Sequence, residues 1–105
     1  MTEHQKYITV PINQKGIDEY SHMVFETKNL LSFVLPEDEY EKLERHHVFD
    51  IINTKCGKMI DVFESEKVSA DDLKSVYKEI SPIKGIWLDA VNKALEYNTC
   101  ICLDF

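Results

Sequence analysis

Apolar positions alternate near both ends of the chain and fall three or four apart between them. In KYITVPI, residues 6–12, Ile8, Val10 and Ile12 share one side and Tyr7, Thr9 and Pro11 the other, which predicts a short strand. Pro11 has no N–H to give a ladder, so the strand lies at an edge or ends there. Residues 13–16 read as a turn. From Ile17 the spacing changes: Ile17, Tyr20, Val24, Thr27, Leu31 and Val34 predict a helix, with a strand over LLSFVL, 30–35, as the alternative. Pro36 suits the first turn of a further helix, and Glu37, Asp38 and Glu39 behind it complement a helix dipole. Tyr40, Leu43, His47 and Ile51 carry that stripe on towards Gly57, a plausible stop.

The segment GKMIDVFESEKV, residues 57–68, interleaves core-like Met59, Ile60, Val62, Phe63 and Val68 with Asp61, Glu64 and Glu66. A strand would set Asp61 beside Met59 and Phe63 on one face, so a helix with its carboxylates at the core's rim is expected. Ser69 with Asp72 resembles a capping box and opens a helix carrying Leu73, Val76, Tyr77 and Ile80, ended by Ser81-Pro82. A second clear helix is predicted from about Lys84 to Tyr97, with Asn98 as its C-cap. In TCICLDF, Thr99, Ile101, Leu103 and Phe105 share one face of a strand; Cys100, Cys102 and Asp104 share the other. The expected fold is α+β: four or five helices packed on a small sheet that includes the N- and C-terminal strands.

Length changes this picture little: 105 residues suit one domain, and 44% hydrophobic content suffices for one core. No stretch approaches the roughly 18 consecutive apolar residues of a membrane span. The N-terminal residues lack a basic region followed by an apolar one, so no signal peptide is expected and the cytoplasm is the expected location. Charge matters more. The net charge is −7, and residues 37–72 hold eleven acids against five bases. Such a field repels nucleic acid and membrane surfaces and attracts cationic proteins.

Candidate chemistry is sparse. His46 and His47 point about 100° apart on a helix and cannot chelate one metal as an i, i+4 pair does. Cys56 has no glycine-rich oxyanion loop beside it, and its spacing from the histidines says nothing about contact. Cys100 and Cys102 lack the two-residue gap of a redox or zinc motif, so free, inert thiols are expected. Asp61 and Glu64 form the kind of acid pair that 19 acids in this chain produce by chance. There is no phosphate-binding glycine loop and no GxSxG. The sequence therefore predicts no catalysis, no cofactor and no metal. The expected partner-binding residues are Glu37, Asp38, Glu41, Asp61, Glu64, Glu66, Asp71 and Asp72. The plainer alternative is a solvated acidic surface.

One resemblance adds to this. Phe49, Asp50, Ile52 and Asn53 lead through a glycine to Ile60, Asp61, Phe63 and Glu64; Leu73 and Tyr77 follow, then Asn98, Thr99, Asp104 and Phe105. Over residues 40–105 this pattern resembles small bacterial immunity proteins that neutralise polymorphic toxins, including those of contact-dependent growth inhibition. The resemblance implies a cytoplasmic, stoichiometric inhibitor without catalysis, bound to a cognate toxin C-terminal domain. That domain is expected to be cationic and often a nuclease. A regulatory or scaffold protein that homodimerises is the alternative.

Overall fold

A computed structural model describes residues 5–58, 60 and 65–105. Among the described residues four strands form one antiparallel sheet: β1 (Lys6–Pro11), β2 (Leu30–Leu35), β3 (Ser65–Ser69) and β4 (Cys100–Asp104), in the order β2-β1-β4-β3. Among the same residues there are five helices: α1 (Gln14–Ser21), α2 (Glu37–Arg45), α3 (Val48–Cys56), α4 (Ala70–Ile80) and α5 (Ile86–Tyr97). It is the expected α+β architecture, and the first and last strands pair directly, Tyr7 opposite Asp104 and Thr9 opposite Cys102. Pro11 sits at the end of β1, where its missing donor costs no ladder bond.

One face of the sheet carries Ile8, Val10, Val68, Ile101 and Leu103, all fully buried. They pack in one core with Leu73 and Val76 of α4 and Trp87, Val91 and Ala94 of α5. Burying an aliphatic side chain of this size stabilises by roughly 1.5–3 kcal/mol. Tyr40, Phe49, Trp87 and Phe105 form an aromatic cluster with ring centroids 5.2–5.5 Å apart. Its edge-to-face pairs suit the ring quadrupoles. Trp87 is wholly buried, and among the described residues its indole N–H has no partner.

Several local signals act as read. Ser69 Oγ accepts from the Asp72 N–H and caps α4. Gly57 and Asn98 end α3 and α5 in the left-handed conformation. Three readings are corrected. The helix expected from Ile17 to Val34 stops at Ser21, and residues 30–35 form β2. The cause is long-range: Leu30 to Leu35 pair along all of β1, and the Ile12 N–H donates to Asn29 O at 2.9 Å to extend that ladder. The α2 stripe does not run unbroken to Gly57, because His47 adopts a left-handed φ of 58° and splits it into α2 and α3. Within 57–68 a strand replaces the expected helix from Ser65 onward. As an edge strand, β3 needs only Val68 buried and leaves Lys67 exposed. Met59, Asp61 and Glu64 lie outside the described residues.

Candidate partner-binding face

Pro36 ends the reach of β2 and turns the chain into α2, whose first turn is Glu37, Asp38 and Glu39. Tyr40 and Leu43 are buried, which fixes the helix's rotation. At 100° per residue, Glu37, Glu41 and Glu44 then fall on one flank at i, i+4 and i+7, while Lys42 turns to the other. Asp38 and Arg45 point most directly outward. Glu37 Oε2 accepts from Lys6 Nζ at 2.8 Å, and Lys6 also lies 4.6 Å over the Tyr40 ring. That pair neutralises one end of the stripe. Glu41 and Glu44 stay exposed.

At the other end of the stripe lies a cleft of about 120 Å³ lined by Tyr40, Glu44, His47, Phe49, Asp50 and Ile60. His47, in the left-handed turn between α2 and α3, lines it together with Glu44 from α2 and Asp50 from α3. His47 Nδ1 lies 3.3 Å from Asp50 Oδ2. Asn53 braces the wall: its side chain accepts from the Ile60 N–H at 2.7 Å and donates to the Ile60 carbonyl. The cleft's two carboxylates, Glu44 and Asp50, are solvent-exposed, and the buried Tyr40 and Phe49 lie beside them in the lining.

Of the eight residues expected to form one face, Glu37, Asp38 and Glu41 lie together on α2. Asp71 and Asp72 lie in the first turn of α4. The sheet sets these two groups apart. α2 leaves from the Leu35 end of one edge strand, and α4 leaves from the Ser69 end of the other, at diagonally opposite corners. Asp72 is 3.8 Å from Lys58, so it is partly neutralised too. Glu66 lies half-buried on edge strand β3, its Oε1 accepting from the Lys67 N–H. Asp61 and Glu64 fall outside the described residues. Glu44 and Asp50 went unselected in the sequence, although Glu37-Glu41-Glu44 spacing was there to be read.

Glu39 plays a different part. Its Oε1 accepts from the Trp87 N–H at 2.7 Å and so caps α5, whose own N-cap is Gly85 without a side chain. A Cβ on Gly85 would lie 2.6 Å from that same oxygen, and its φ of 142° also favours glycine.

No protein-family model, curated protein or solved structure matches the chain. The site therefore stands on its own geometry.

The remaining chemistry-bearing groups are built into packing. Cys100 and Cys102 are buried on the sheet's second face with sulfurs 3.8 Å apart. The hydrogen bond to Cys100, with burial, pushes the Cys102 thiol far up. Tyr20 of α1 reaches over this face and donates to Asp104 Oδ2 at 2.7 Å. Burial first, then that bond, pushes its phenol well above the ordinary tyrosine range. Among the described residues no group of three His, Cys, Asp or Glu is placed to hold a metal ion, and no helix is long and apolar enough to cross a membrane. Another exposed feature is the loop Met23, Val24 and Phe25, with Met23 75% exposed in a left-handed φ of 61°.

Proposed function

We propose that this protein is a non-catalytic immunity protein that binds and neutralises a cationic bacterial toxin domain through the acidic flank of α2. The observation that supports it is the cleft lined by Glu44 and Asp50 together with His47, Tyr40 and Phe49. It offers a seat for one arginine or lysine of a partner, and Glu41 and Asp38 extend the negative field around it. A nuclease must present such cations to its substrate. An acidic inhibitor captures them quickly by electrostatic steering and holds them where water is excluded. The immunity-protein resemblance of residues 40–105 points the same way, and the overall charge of −7 suits it.

The test uses the product of the gene directly upstream, which this reading expects to encode the toxin domain. Co-production of this protein is expected to rescue growth and to co-purify that domain. Changing Asp38, Glu41 and Glu44 together to lysine is expected to slow association at low salt by about 10-fold or more. The far-UV circular dichroism should not change. An association rate insensitive to the triple change refutes the α2 face. Absence of any complex with the neighbouring toxin refutes the inhibitor reading itself.

A further inference from the structure

The second face of the sheet carries a cluster of titratable groups that the α2 cleft leaves unused. Alternate residues of a strand share a face, so Cys100, Cys102 and Asp104 of β4 point the same way. Ladders on both sides of β4 fix the backbone under the two cysteines. Lys67 and Ser69 of β3 lie opposite Cys102 and Cys100, and both are exposed. Tyr20 of α1 reaches over the same face, its hydroxyl on Asp104 and its ring 5.9 Å from Lys67 Nζ. Cys100 and Cys102 are only 5% and 1% exposed, yet they stand one strand in from an open, polar edge. A bare ion can pass that edge where a bulky thiol reagent cannot.

The two sulfurs are 3.8 Å apart. With metal–sulfur bonds of about 2.3 Å, as between thiolate and zinc, that separation closes an angle of roughly 110° on a shared ion. A small turn of either χ1 opens it towards a linear sulfur–metal–sulfur unit. Structural zinc takes four ligands, and among the described residues no third His, Cys, Asp or Glu completes a set with this pair. Soft thiolates favour copper(I), which two ligands satisfy. Charge points the same way: two thiolates and one monovalent cation sum to −1, which the Lys67 ammonium balances. The bond from Cys102 already holds the Cys100 thiol below its ordinary range against burial, and Lys67 lowers it further. We infer that Cys100 and Cys102 form a two-thiolate site for a soft monovalent cation of the copper(I) class. Binding releases both thiol protons and leaves the ion's oxidation state unchanged. The site shares no residue with the α2 cleft and does not depend on the inhibitor reading.

The probes are silver(I), which needs no reductant, and copper(I) kept reduced by ascorbate, with Cys56→Ser removing the third thiol. Native mass spectrometry of that variant is expected to show one ion per 12.3 kDa chain with either probe, and no zinc at the same concentration. Adding Cys100→Ala or Cys102→Ala is expected to abolish the ion while circular dichroism shows the fold intact. X-ray absorption at the copper edge of the Cys56→Ser complex needs no further variant and should show two sulfur neighbours. Lys67→Glu should weaken binding by about 10-fold. A Cys56→Ser chain that takes up neither ion overturns the inference. So does an ion retained after Cys100→Ala, a copper edge without two sulfurs, or zinc bound as tightly as copper(I). One ion bridging two chains refutes a site closed within one sheet.

Discussion

Replacing Glu39 with alanine separates an acid that builds this fold from those that stay exposed to solvent. Glu39 sits in the most acidic helix of the chain, yet its carboxylate caps α5 through the 2.7 Å bond from the Trp87 N–H. A hydrogen bond to a charged group contributes about 1.5–3 kcal/mol. Loss of a carboxylate from a helix N-terminus adds about 0.3–1 kcal/mol. With Glu39 half-buried, the sum is expected near the middle of these ranges, roughly 2–3 kcal/mol. For a domain of this size that lowers the melting temperature by roughly 10 °C. Trp87 is the chain's one tryptophan and lies at the perturbed site, so its fluorescence through a urea titration reads the change directly. Asp38→Ala, one residue away but exposed, should cost less than about 0.5 kcal/mol. Equal losses in the two variants, or a loss from Glu39→Ala below about 0.5 kcal/mol, refute the capping role.

Four further outcomes follow from the structure. Gly16→Ala, which in an ordinary helix gains about 1 kcal/mol, should instead destabilise by about 2 kcal/mol in thermal unfolding. Its Cβ would collide with Asn29 O, the acceptor that joins β1 to β2. Met23→Gly should stabilise by about 1 kcal/mol in the same assay, because the α1 C-terminus makes the bonds of a glycine-ended helix around a left-handed methionine. The raised Tyr20 phenol holds its proton in the fold while the unfolded chain loses it near pH 10. Its contribution is thus present below pH 10 and lost above it, and Tyr20→Phe should flatten the alkaline fall of stability measured by urea titration. Under a thiol reagent in native buffer, mass spectrometry should find half-buried Cys56 modified first, and buried Cys100 and Cys102 only on unfolding.

Much of the architecture was legible because local signals agreed with it. The Ser69 cap, the α4 and α5 stripes, Asn98 and the two terminal strands all follow from spacing and turn chemistry. β2 was legible only as the alternative to a helix, because Leu31 and Val34 also fit a helical step, and pairing with β1 decides between the two. The α2–α3 break was hidden because no glycine or proline marks it; a histidine takes the left-handed turn instead. His47 at that break lines the cleft with Glu44 and Asp50, a grouping that the linear spacing of the acids does not display. Reading eight acids as one face also overlooked that some are spoken for: Glu37 by Lys6 and Asp72 by Lys58.

Phe105 packs edge-to-face against Tyr40 and Phe49, two of the residues that line the acidic cleft. It follows directly on β4, the strand a ribosome delivers last of the four. A growing chain therefore displays the acids of α2 long before the rings beside them are held in place, which waits until Phe105 has emerged and docked. Premature termination just short of that residue leaves Tyr40 and Phe49 without their shared neighbour.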